Sequence, residues 1–122
     1  MKYKMYCVFA KESVDKINGV RGKMCTQAGH AYVHTMLDAM IETPELAQAY
    51  LDSGHAYKIT LIVDTVDELK KIQEAYKDKV ATHLVTDAGF TVFKEPTTTC
   101  LGLGPISEDM IGEDLKAIKT FC

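Results

Sequence analysis

The chain has 122 residues, of which 47% are apolar and 25% charged. That is the size and composition of one compact soluble domain able to bury about two-thirds of the surface its unfolded chain exposes, and it excludes disorder. The formal charge of −3 gives no overall reason to expect a nucleic-acid partner, and without an 18-residue apolar run a membrane-spanning helix is excluded.

Met5 to Ala10, MYCVFA, is a short apolar run with aromatic and β-favouring residues, which predicts a buried strand. With Lys2 and Lys4 before it, this run is too short for a signal-peptide core, so the protein is expected in the cytoplasm. The segment KESVDKINGV then reads as a polar connection. From about Gly22 to Glu42, Cys25, Ala28, Gly29, Tyr32, Met36 and Ala39 recur at three- and four-residue spacing and predict the longest helix, buried along that stripe.

Thr43 as cap and Pro44 at the first helical position predict a second helix to about Asp52, which Ser53-Gly54 ends. YKITLIVD, 57–64, is a near-continuous β-branched run of the kind buried on both faces of a sheet. A capping box, Thr65 with Glu68, opens an amphipathic helix through Val66, Leu69, Ile72 and Tyr76. VATHLVTD, 80–87, and TTTCLGLG, 97–104, read as two further strands. Pro105 is expected to stop the last of them, and Ser107 to start a final helix running to about Lys119. The order predicts a single α/β domain over 1–122, with one four-stranded mixed sheet between helical layers.

Three stretches carry candidate chemistry. In RGKMCTQAGHA, 21–31, an α-helix places Lys23, Gln27 and His30 within an arc of roughly 60°. That arc is either a site or the wet face of the helix, since the apolar stripe lies opposite. His30 and His34, four apart, suit one metal ion, but Ala31 replaces the Glu of a zincin helix and no third ligand is evident. In TDAGFT, 86–91, Asp87 and Thr91 stand at the carboxyl end of a strand, where open α/β sheets gather ligands, although Asp before Ala-Gly is also an ordinary turn. In TTTCLGLGP, Gly102 and Gly104 alternate with Leu and mark a close backbone approach rather than a phosphate loop. The four cysteines, Cys7, Cys25, Cys100 and Cys122, form no C-x-x-C pair and fit reduced thiols.

Charge is unevenly spread. From Met1 to Lys23 six Lys or Arg face Glu12 and Asp15, whereas from Asp38 to Glu68 seven acidic residues face only Lys58. A basic end and an acidic flank can coexist on one molecule.

Taken together and in register, G-K-x-x-x-Q-x-x-H-A, the K-I-x-L-x-V-D strand with its D-E-L helix start, D-A-G-x-T and T-x-L-G-x-G-P resemble the type 2 peptidyl-tRNA hydrolases over most of the chain. The resemblance implies a three-layer α/β/α fold, often dimeric, that hydrolyses the ester between a peptide or N-blocked amino acid and tRNA, with no metal or organic cofactor. It carries Lys23, His30, Asp87, Thr91 and Thr99 over as catalytic residues and Gln27 as a substrate contact. Peptidyl-tRNA is then the expected partner, with Lys11, Lys16 and Arg21 of the basic end as its contacts and a homodimer as the expected assembly. Two departures bear on the site: the helix has Gly29 where the family carries a hydroxyl, and Phe90 where D-A-G-R-T carries arginine. They define the alternative, a catalytically weakened member serving as a tRNA-binding or protein-interaction module.

Overall fold

The computed structural model describes residues 2–122. Strand β1 (Tyr3–Ala10) passes directly into helix α1 (Lys11–Ile17), followed by α2 (Arg21–Glu42), α3 (Pro44–Asp52), β2 (Lys58–Val63) and α4 (Val66–Tyr76). Then come β3 (Thr82–Asp87), β4 (Thr97–Ser107), a 3₁₀ turn at Glu108–Met110, α5 (Glu113–Lys116) and β5 (Lys119–Thr120). The strands form one mixed sheet in the order β3-β4-β1-β2-β5. β1 runs parallel to β2 and antiparallel to β4, which is antiparallel to β3.

The sheet therefore has five strands, not the expected four. β2 would otherwise end the sheet with the open backbone edge of an apolar strand, a template for unwanted pairing. Lys119 and Thr120 pair with Ile62 and Leu61 on that edge, and the Phe121 amide donates to the Thr60 carbonyl at 2.9 Å. A two-residue strand leaves almost no periodicity to read, so sequence pattern assigned these positions to the end of a helix.

Three further expectations are corrected. The polar connection after β1 is helix α1, which buries Ser13 and Ile17 four apart; Asn18, left-handed at φ 52°, closes it. Its Asn-Gly C-terminus was the signal available. Pro105 does not stop β4, which continues to Ser107. The register against β1 skips between Lys4 and Tyr6, and a proline, having no N–H to pair, is tolerated where a ladder is already interrupted. The final helix is reduced to the 3₁₀ turn and the four residues of α5, anchored by buried Leu115 and by the Tyr76 hydroxyl, which donates to Asp114 at 3.0 Å.

Alternation along β1 divides the core. Tyr6, Val8 and Ala10 cluster with Leu61, Leu101, Leu103 and, from α4, Leu69 and Tyr76. Cys7 and Phe9 cluster with Val85, Cys100 and, from α2, Ala31. The line of α2 that is fully buried is Gln27, Ala31, Thr35 and Ala39, flanked by half-buried Ala28, Tyr32 and Met36, while Cys25 and Gly29 face outward. The expected stripe is thus turned toward Gln27. The reason is the close seat of α2 on β4: a Cβ at Gly102 would collide with the Thr35 hydroxyl and the Ala31 carbonyl, so only small or slender side chains fit along the contact.

Candidate active site

Lys23 and Gln27 stand one turn apart near the start of α2, which lies close on β4 where Gly102 meets Ala31 and Thr35. Asp87 is the last residue of β3. The Lys23 ammonium donates to Asp87 Oδ1 at 2.5 Å and to the Thr91 hydroxyl at 3.1 Å. Gln27 Nε2 donates to the same Oδ1 at 3.3 Å, and the Gly89 amide donates to Oδ2 at 2.8 Å. The two charged side chains retain only 14% and 11% of their exposure, which shields the pair from the screening that makes surface ion pairs weak.

Gly89 makes this turn possible. Its φ is +88°, and a Cβ there would meet the Glu95 backbone, so the amide can reach Asp87 only from a residue without a side chain. The Lys23 ammonium beside Asp87, helped by the Gly89 and Gln27 donors, holds the carboxyl below the usual carboxylate range. Asp87 is consequently ionised at neutral pH. Lys23 also lies 5.8 Å from the ring centroid of buried Phe93.

Thr99 reaches the group through a distortion of β4. Val85 pairs with Cys100 and Thr86 with Thr98, leaving Thr99 as the extra residue of a bulge. Alternation would send Thr99 and Cys100 to opposite faces of the sheet, but here both turn to α2. The Thr99 hydroxyl donates to Gln27 Oε1 at 2.6 Å, and Cys100 Sγ approaches the Gln27 carbonyl oxygen at 3.5 Å. With Thr99 on its oxygen and Asp87 on its nitrogen, the buried Gln27 amide has one orientation.

Five of the residues expected to act together, Lys23, Gln27, Asp87, Thr91 and Thr99, are thus joined by hydrogen bonds. His30 is not among them. It is exposed on the outer flank of α2 with its ring centroid 5.7 Å from that of His34, which stacks on His83 at 5.1 Å. Among the described residues no group of three His, Cys, Asp or Glu is placed to hold a metal ion. Of the expected basic contacts, Lys11 is paired with Asp15 at 2.9 Å and Arg21 is exposed at the start of α2. Lys16 lines a cavity of about 310 Å³ with Val92, Phe93, Lys94, Glu95 and Thr97. Sequence reasoning missed Phe93 and Lys94; a basic residue and an aromatic directly after the D-A-G-F-T turn were the signal.

An α/β domain that seats a lysine–carboxylate pair at the end of a strand, under a threonine and against a helix, defines a class that comparison with known proteins makes specific. The model of the family described as "Peptidyl-tRNA hydrolase PTH2" matches residues 3–121, and the chain belongs to that family. A peptidyl-tRNA hydrolase of Metallosphaera sedula is 30% identical over 107 residues, covering 84% of this chain and 92% of the relative. The peptidyl-tRNA hydrolase of Thermococcus onnurineus is 31% identical over 111 residues, covering 90% of each. That of Thermoplasma volcanium is 34% identical over 86 residues, covering 70% of this chain and 73% of the relative.

Proposed function

We propose that the protein hydrolyses the ester joining a peptide or N-blocked amino acid to tRNA, with Lys23 and Asp87 at the centre of the reaction. The observation that carries this reading is the mostly buried Lys23–Asp87 pair, held by Gln27, Gly89 and Thr91 in a chain of this family. Ester hydrolysis needs an oriented water, stabilisation of the tetrahedral oxyanion and a proton for the departing ribose hydroxyl. Asp87 accepts three of the roughly four hydrogen bonds a carboxylate can take, leaving one position to orient the attacking water. Its lowered pKa makes it a weak base, so it aligns the water and keeps Lys23 charged more than it stores a proton.

Lys23 spends two of its three N–H donors within the site. The third, with the O–H of Thr91, serves the oxyanion. Gln27 and Thr99 are buried and act as positioning residues behind Asp87. The proton that the attacking water loses passes transiently to Asp87 as the new C–O bond forms and on to the ribose oxygen as the ester bond breaks. His30, exposed on the outer flank of α2, meets bound substrate rather than the reacting atoms. Lys16 and Arg21 contact the RNA backbone, whereas Lys11, already paired with Asp15, contributes less. The roles use side chains and water alone, with no cofactor or metal.

The reaction can be followed as release of an N-acetylated amino acid from tRNA by the wild type, Lys23→Ala and Asp87→Ala. We expect losses of at least about 100-fold in kcat/KM. Wild-type turnover no faster than that of the variants would leave the alternative, a tRNA-binding or protein-interaction module.

The alternating division of the core between α2 and α4 supports the three-layer α/β/α arrangement in a single domain. No helix of the described residues is long and apolar enough to cross a membrane; the cytoplasmic location is proposed from the peptidyl-tRNA substrate. We further propose a homodimer through the outer face of α2. Val33, Leu37, Met40 and Ile41 are exposed there along one side of the helix, with Leu51 of α3 beside them, and two such stripes can pair about a two-fold axis. Sedimentation of the wild type against Leu37→Glu with Ile41→Glu tests it: a monomeric wild type would end the proposal.

A further inference from the structure

Phe90 is 90% exposed, although it lies between two residues of the site: Gly89, whose amide holds Asp87, and Thr91, whose hydroxyl accepts from Lys23. An isolated exposed aromatic elsewhere would need no explanation. Here its position is the observation. Gly89 puts the chain in a left-handed turn, and the next residue is carried outward at the rim of the site. Beneath the same loop, Phe93 is buried against Lys23, so the two aromatics of the segment have opposite fates.

We propose that Phe90 is a stacking platform for an unpaired nucleobase in the single-stranded 3′ segment of the RNA substrate. This rests on the reading that the substrate is an acylated RNA. An ester held at Lys23 and Asp87 brings the last nucleotides of its RNA to the rim of the site, where an aromatic ring offers a π-face that suits any base. Lys16 and Lys94 border the cavity under the loop, and among the described residues neither has an ion-pair partner. They are placed to take the phosphates flanking a stacked base; Glu95 lines the same cavity, which limits how deep the backbone can enter. Phe90 makes no contact with the reacting groups, so it affects binding and not the chemical step.

The chain contains no tryptophan, so Phe90→Trp introduces a single fluorescent reporter at the platform. Deacylated tRNA is expected to quench it, and the same tRNA stripped of its single-stranded 3′ nucleotides is not. Because this titration needs no turnover, it remains decisive even if the hydrolase reading fails. In the hydrolysis assay Phe90→Ala is expected to raise KM about tenfold with kcat within about twofold of wild type, a loss in the range of one base stack. Phe90→Tyr keeps the wild-type KM, and Phe90→Leu, apolar but without a π-face, behaves as the alanine variant does. Equal quenching by the intact and stripped RNA, or a Phe90→Leu enzyme with the wild-type KM, would overturn the proposal.

Discussion

Thr99 on β4 and Gln27 on α2, 72 positions apart, share a hydrogen bond of 2.6 Å in which the threonine hydroxyl donates to the side-chain carbonyl. The bond decides which end of the amide faces Asp87. Without it, the Gln27 amide can turn and present an oxygen to the carboxylate, a repulsive contact beside the reacting groups.

Thr99→Val removes the hydroxyl at nearly constant volume. We expect kcat to fall by about 10- to 100-fold, since a misplacement near 1 Å in a catalytic constellation costs on that order. Thr99→Ser, which keeps the donor, should recover most of the activity. A valine variant with wild-type kcat would remove Thr99 from any role behind Gln27.

The Lys23–Asp87 pair also has a signature in stability. The Asp87 carboxyl is held below its unfolded value of about 3.9, so its contribution is complete above that value and is lost as the pH falls through the lower, folded one. Asp87→Asn should therefore be less stable than the wild type by an amount that stays constant from about pH 7 to 5 and shrinks below about pH 4. Urea unfolding across that range reads the difference. A gap that widened on acidification would mean that the carboxyl is raised, not lowered, by its surroundings.

Two glycines facing α2 and lying within it should respond in opposite directions. Gly102 supports the helix on β4, and a methyl there meets the Thr35 hydroxyl and the Ala31 backbone. Gly102→Ala is expected to cost about 1–3 kcal/mol and, by lifting α2, to lower kcat as well. Gly29 has nothing within 4 Å of where a Cβ would stand. Gly29→Ala should stabilise the protein by up to about 1 kcal/mol through helix propensity, with activity unchanged. Equal destabilisation by both, in urea melts, would refute the packing account.

Much of this molecule is legible locally. The periodicities of 5–10, 57–64 and 66–76 identify two strands and an amphipathic helix, and Thr65 does cap α4, accepting from the Glu68 amide at 3.2 Å. Thr43 shows the limit of such signals. It stands before α3 as expected, but its hydroxyl turns back to the Ala39 carbonyl at 3.4 Å instead of capping the new helix. The spacing of Lys23 and Gln27 placed them on one face of α2, and the joint pattern with Asp87, Thr91 and Thr99 pointed to their meeting.

What the residues by themselves determined were choices made within a few positions: helix or strand, the tight turn at Gly89, and which side chains share a turn of α2. Only the tertiary structure decided that Gln27 lies inward while His30 lies outward, that a bulge turns Thr99 onto α2, and that Lys119 and Thr120 close the edge of β2. The physical reason is separation. Propensity and periodicity act over neighbouring residues, whereas the Lys23–Asp87 pair joins positions 64 apart, and its geometry follows from strand register and from how closely Gly102 lets a helix approach a sheet.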